Sequence, residues 1–224
     1  MNHANLGAKQ DDTSQRPAFI LPKQLNTGPT PMKQPLGVIL AGGQATRMGG
    51  GDKSLLALGG TPILRRVIDR LEPQTDGLIL NANGDAARFA DYALAVVPDS
   101  IAGFAGPLSG VLAGLDYAAT TGHSHIVTAA ADTPFFPCDL VPQLLLAGGD
   151  AGLALAASPS GRQPTFGLWP VALRGDLRAA LQDGLRKIVL WPQQHHAGTA
   201  QFPDDAAFFN VNTPEDLHTA EAML

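Results

Sequence analysis

Beyond position 35 the hydrophobic positions of this chain alternate between two spacings. Gly37-Val38-Ile39-Leu40-Ala41 is a short apolar run that ends in glycines, the pattern of a buried strand. Thr61-Pro62 then predicts a helix start, with Thr61 as N-cap and Pro62 at the first helical position. Ile63, Leu64, Val67, Ile68 and Leu71 follow at helical spacing. Strands are predicted at 78–80 and 94–97, and a helix over 107–119 with Leu108, Val111, Leu112 and Leu115 on one face. Next come a strand at 126–130, a helix over roughly 138–146 and strands at 152–157 and 165–169. Helical segments at 171–181 and 186–190, a short strand at 208–211 and a last helix opened by Thr213-Pro214 complete the pattern. Strands separated by helices predict an α/β fold, Rossmann-like, with a mostly parallel twisted sheet between two helical layers. Ligands of such sheets bind outside the carboxyl ends of the strands. The polar interruptions Gly42-Gly43, Asn81-Ala82-Asn83, Asp99 and Asp132 each follow a predicted strand.

The first 35 residues do not share this pattern. They are rich in Pro, Gln, Asn, Thr and Lys, with one apolar patch at Phe19-Ile20-Leu21. Such a stretch buries too little to offset its ordering entropy. Residues 1–35 are therefore expected to be a disordered leader, and 36–224 a single domain. Met32 stands just before the first strand as a candidate natural start; a genuine but dispensable tail is the alternative.

Composition narrows the function classes. The 224 residues carry 15 Lys+Arg against 20 Asp+Glu, a net charge of −5. That balance argues against a general nucleic-acid binder, which needs a basic field. It leaves room for one small anion in a local basic pocket. The sole cysteine, Cys138, excludes an intramolecular disulfide and is read as a small core filler. No apolar run reaches the roughly 18 residues of a spanning helix. No secretory pattern opens the chain, so a cytoplasmic protein is expected.

The segment Leu40-Ala41-Gly42-Gly43-Gln44-Ala45-Thr46-Arg47-Met48-Gly49-Gly50-Gly51-Asp52-Lys53-Ser54 is the most informative. Glycines directly after a strand let backbone N–H groups approach an anion, and Arg47 and Lys53 add two cations. The spacing is neither that of a Walker A loop nor that of a dinucleotide-binding loop. The plain alternative is a flexible turn with two solvated cations.

This segment resembles the signature loop of nucleotidyltransferases with a glycosyltransferase-A-like fold. It is most similar to that of the molybdenum cofactor guanylyltransferases of the MobA type, whose loop has the double glycine. The resemblance continues in order through Asn81-Ala82-Asn83, Pro98-Asp99, Gly106-Pro107-Leu108-Ser109-Gly110, Ala131-Asp132-Thr133-Pro134, Pro164-Thr165 and Phe209-Asn210-Val211-Asn212-Thr213-Pro214. It implies transfer of GMP from GTP to molybdopterin, giving the guanine dinucleotide cofactor and pyrophosphate, with Mg²⁺. It implies GTP and molybdopterin as partners, with molybdoenzyme-maturation proteins as recipients of the product, and neither nucleic acid nor membrane.

The same resemblance distributes roles. Arg47, Lys53 and Asp132 would be catalytic, with Asp132 the metal ligand. Leu40, Ala41, Gly42, Gly43, Lys53, Asn81, Asp99 and Asp132 would bind the nucleotide. Arg162, Thr165, Arg186, Lys187, Asn210 and Asn212 are candidates for the pterin. Asn210 and Asn212, two apart on a predicted strand, also suit a metal or phosphate shell. Gln163 departs from the residue usual before the Pro-Thr pair, so a role carried there by a histidine is not transferred. A carboxylate such as Asp99 suits the N1–H and N2–H₂ donors of guanine; a ribose contact, or a simple strand-ending turn, is the alternative. A molybdopterin cytidylyltransferase, a sugar-phosphate nucleotidyltransferase and a non-catalytic GTP or cofactor carrier are the rival functions.

Overall fold

Alternating strands and helices fold, in a computed structural model, into one sheet covered on both faces. The structure describes Met1 and residues 34–42, 52–101, 103, 106–185, 188 and 190–224. The expected leader therefore lies outside the described residues, apart from its two ends. In chain order the elements are β1 (Leu36–Leu40), a hairpin of β2 (Ala57–Leu58) and β3 (Thr61–Pro62), α1 (Ile63–Leu71), β4 (Leu78–Asn81) and β5 (Ala95–Val97). They continue with α2 (Pro107–Thr121), β6 (His125–Ala130), α3 (Leu140–Gly148), β7 (Ala154–Ser158) and β8 (Gly161–Pro170). The chain ends with α4 (Arg174–Gln182), α5 (Leu190–Gln194), β9 (Gly198–Gln201) and α6 (Pro214–Glu221).

The sheet runs β5-β4-β1-β6-β8-β7-β9. β5, β4, β1 and β6 are parallel neighbours, as are β7 and β9. Among the described strands of this sheet only β8 runs against its neighbours. Side chains of β1 alternate across the sheet. Ile39 packs with Leu64, Val67, Ile68 and Leu71 of α1 and with Leu140 and Leu144 of α3. Leu36 and Val38 pack with Leu108, Val111, Leu112 and Leu115 of α2 and with Leu177 of α4. Gly114 is required by this closeness: a Cβ there would meet Val38 Cγ2 at 2.7 Å. Trp169 and Trp191 stack in the second layer with centroids 6.2 Å apart. Their indole N–H groups donate to Thr128 Oγ1 and Asp176 Oδ1.

Several expectations change. Thr61 and Pro62 belong to β3, and α1 begins at Ile63 with no side-chain cap. Gly59 and Gly60, at φ +57° and +79°, make the two-residue turn that pairs Leu58 with Thr61. No strand forms at 208–211: a 3-10 turn covers Ala206–Phe208 and irregular backbone follows. β9 is an additional strand, too polar on its outer positions to stand out. Of the helix expected at 186–190, residues 186, 187 and 189 lie outside the described residues, and a described helix covers Leu190–Gln194. Cys138 is exposed, not a core filler. No helix among the described residues is long and apolar enough to cross a membrane.

Candidate active site

The ends of β1, β4, β5 and β6 form one edge, because Leu40 is in register with both Asn81 and Ala130, and Asn81 with Val97. Ala41 donates its N–H to Asn81 O at 2.9 Å, so that donor is committed to the sheet and Gly42 begins the loop proper. β8 runs the other way, with Gly167 opposite Thr128. Its opening residues Arg162 to Thr165 therefore extend past the end of β6 to the same edge.

One polar cluster gathers after β4 and β5. Asn81, 2% exposed, donates its amide to Val97 O at 3.1 Å and to Asp99 Oδ1 at 3.0 Å. Asn83 donates to Asp99 Oδ2 at 2.8 Å and accepts from Asp99 N at 2.9 Å. Both oxygens of the half-buried Asp99 carboxylate are thus oriented, each keeping further acceptor capacity for a ligand donor. Asn81 is a buried brace for Asp99. α2 starts beside it at Gly106, whose φ of +130° suits glycine, with Pro107 at the first helical position. Gly110 lets the helix approach: a Cβ there would stand 2.2 Å from Asn81 Oδ1. The helix N-terminus thus adds positive dipole to this edge.

A second cluster gathers after β6. Lys53 opens the 3-10 turn Lys53–Leu55, which Asp52 caps through Ser54 N. Lys53 Nζ donates to Asn212 Oδ1 at 3.0 Å. Thr133 Oγ1 donates to Asn210 Oδ1 and, at 3.3 Å, lies on Asp132 Oδ1. Val211 N donates to Asp132 O at 2.9 Å, tying the Asn210–Asn212 segment to the end of β6. Asp216 Oδ2 accepts from Asn212 N and Thr213 N, each at 2.9 Å, in the capping box of α6. Asn210 and Asn212 therefore sit with Asp132 and Lys53, without the strand that the sequence predicted.

Electrostatics separate the carboxylates. Burial pushes the Asp132 carboxyl above its ordinary range, and the Lys53 charge and the Thr133 hydroxyl act against that shift. A buried carboxylate with one nearby ammonium is suited to a second cation. Among the described residues no three His, Cys, Asp or Glu side chains converge on a common point. One carboxylate fits Mg²⁺, which keeps waters and substrate phosphates in its shell, better than a metal needing an all-protein cage. Asp132 does not cap a helix: α3 begins eight positions on, with Asp139 as N-cap.

Of the residues singled out in the sequence, Leu40, Ala41, Gly42, Lys53, Asn81, Asp99, Asp132, Arg162, Thr165, Asn210 and Asn212 all lie on this edge. Gly43, Arg47, Arg186 and Lys187 lie outside the described residues. Gln163 turns its amide to Ser158 Oγ at 3.0 Å within the β7–β8 hairpin. Asp52, Arg88 and Thr133 were missed. Asp52 and Thr133 each adjoin a residue that was singled out; Arg88 sits in a polar helical stretch with no marker.

Comparison with known proteins gives the following. The family model for the MobA-like NTP transferase domain matches residues 37–197. A molybdenum cofactor guanylyltransferase of Bradyrhizobium sp. (strain ORS 278) is 50% identical over 194 residues, 84% of this chain and 92% of that protein. One from Cereibacter sphaeroides is 50% identical over 189 residues, 84% of this chain and 96% of that protein. Among solved structures, molybdopterin-guanine dinucleotide biosynthesis protein A of Archaeoglobus fulgidus superposes with TM-score 0.65 at 22% identity, covering 84% of this chain and 97% of that one. A 4-diphosphocytidyl-2C-methyl-D-erythritol synthase of Anaerococcus prevotii shares the fold at TM-score 0.66 and 15% identity, covering 85% and 96%.

Proposed function

The chain belongs to the MobA-like NTP transferase family and is a nucleotidyltransferase, and we propose that it moves the GMP unit of GTP onto the terminal phosphate of molybdopterin. The observation that carries this reading is the 50% identity, over 84% of the chain, to relatives named for that activity. The two clusters on the strand edge support it, since one suits a guanine nucleoside and the other a polyphosphate.

In the reaction, an oxygen of the pterin phosphate attacks the α-phosphorus of GTP. The bond from that phosphorus to the β-phosphate bridging oxygen breaks, and pyrophosphate leaves with the electron pair. Nucleophile and electrophile are both anionic. Two unit charges about 4 Å apart repel by about 4 kcal/mol at an effective dielectric near 20. Placed cations and aimed donors offset that repulsion. Lys53, anchored by Asn212, holds the phosphates and the leaving pyrophosphate. Arg47, from the loop outside the described residues, is assigned the second basic role. Leu40, Ala41 and Gly42 at the end of β1, and Gly43 outside the described residues, are assigned to the triphosphate. Asp99, braced by Asn81 and Asn83, accepts from guanine N1–H and N2–H₂.

Asp132, with Asn210 and Asn212 beside it, would hold Mg²⁺, which when bound supplies charge neutralisation on the phosphates. The raised carboxyl of Asp132 supports this, because a divalent cation returns it to the ionised form. Arg162 and Thr165 of β8, with Arg186 and Lys187, are assigned to the pterin side. GTP as donor supports a cytoplasmic setting, with molybdoenzyme-maturation proteins taking up the product.

The test is direct. Purified protein with GTP, Mg²⁺ and molybdopterin should yield the guanine dinucleotide by mass spectrometry, one pyrophosphate per product. Binding of GTP without pyrophosphate release would indicate a carrier and overturn the reading.

A further inference from the structure

Arg88 joins the two halves of the site. It lies in the 3-10 stretch Ala86–Tyr92 that follows β4. Its three guanidinium nitrogens reach three acceptors in two segments distant in sequence. Nε donates to Asp52 Oδ2 at 3.2 Å, Nη2 to Asn83 O at 2.8 Å and Nη1 to Asp85 O at 2.8 Å. The guanidinium carbon stands 4.5 Å from the centroid of the Phe89 ring, and Phe89 is buried, so the fork rests on a fixed platform. The other oxygen of Asp52 accepts from Ser54 N and from Ser54 Oγ, closing the turn that presents Lys53. Asn83 in turn orients Asp99.

The geometry points to Arg88 as a positioning residue that fixes the span between Lys53 and Asp99, the phosphate and nucleoside ends of the site. This rests on the guanylyl-transfer reading above. Arg88 touches neither end itself; it acts through Asp52 and through the Asn83 backbone. A planar fork is needed, since a lysine ammonium cannot meet three acceptors arranged around one plane. The pair is partly exposed, 31% for Arg88 and 13% for Asp52, so its share of global stability is small. Its effect on alignment is larger, because a misplacement of about 1 Å costs on the order of 10²-fold in rate.

The experiment compares wild type, Arg88→Ala, Arg88→Lys, Asp52→Asn and the double variant Arg88→Ala with Asp52→Asn. Each Arg88 variant should lower kcat/KM for GTP by ~10- to 100-fold while the KM for molybdopterin stays unchanged. The double variant should be no worse than Arg88→Ala alone, as expected of groups acting as one unit. Amide hydrogen exchange of residues 54–56, whose N–H groups bond within the Asp52 turn, should quicken by ~10-fold in Arg88→Ala, with that of α2 unaltered. Unchanged exchange at 54–56, or losses that multiply in the double variant, would overturn the assignment. Exchange is read without turnover. If wild type makes no guanine dinucleotide, the functional reading falls and the exchange result alone decides the role of Arg88.

Discussion

At the scale of single residues, Lys53 and Asp132 show how chemistry and stability oppose each other. Lys53→Ala removes the ammonium near Asp132 and the partner of Asn212, and should cost ~10²- to 10³-fold in kcat, read as pyrophosphate release. Asp132 has its carboxyl raised by burial from a usual value of 3.8. In the window above 3.8 the folded state holds a proton that the unfolded chain has lost, so stability falls as pH rises through it. Asp132→Asn in metal-free buffer should therefore raise Tm at pH 7, lose that gain below pH 3.8, and abolish product formation. Calorimetry across pH checks the first two statements. Asp99 and Asp132 were legible in the sequence because each follows an apolar run, and Lys53 because it ends a glycine-rich loop. Arg88 was not, since Asp52, the partner that ties it to the Lys53 turn, meets it only through the fold. The resemblance implies a nucleoside contact for Asn81; its brace on Asp99 was not legible, because sequence carries no signal for burial at a strand's last position.

At the scale of elements, α6 and α2 are the parts that aim the site. The capping box of α6 pairs Thr213 with Asp216, and Asp216 also holds Asn212, the partner of Lys53. Thr213→Ala should cost about 1 kcal/mol in urea unfolding. Hydrogen bonds from the Asn212 and Thr213 N–H groups hold the Asp216 carboxyl below 3.8. That stabilising share is present above 3.8 and is lost as pH falls through the lowered folded-state value. The stability gap between wild type and Asp216→Ala should therefore narrow in that acidic range. Gly110→Ala on α2 would push a Cβ against Asn81 Oδ1 and Leu40 Cδ2, at 2.2 and 2.8 Å. It should destabilise by about 1–3 kcal/mol and weaken GTP binding by loosening Asp99, measured by calorimetry. The start of α6 was legible because Thr-Pro followed by acidic residues is a local code. The false helix start at Thr61 shared only the Thr-Pro pair, without the acidic residues, and Gly59-Gly60 closed a hairpin there. β9 and the irregular 209–212 segment depend on neighbours distant in sequence, so their local pattern was weak.

At the scale of the whole molecule, a net charge of −5 coexists with the binding of two polyanions. The architecture accounts for it: four parallel strands end on one edge and present a few fixed groups there, with β8 bringing Arg162 and Thr165 to the same edge. A diffuse basic surface is not required. The same fold occurs in a protein named 4-diphosphocytidyl-2C-methyl-D-erythritol synthase, at TM-score 0.66 and 15% identity, and fold alone does not fix a substrate. In the proposed reading, selection falls to Asp99. The central claim is guanylyl transfer, and its most direct measurement is the ratio of kcat/KM for GTP over CTP with molybdopterin as acceptor. A carboxylate matched to guanine donors predicts at least ~10²-fold preference for GTP, falling sharply in Asp99→Ala. Equal use of the two nucleotides, or a preference for CTP, would contradict the account.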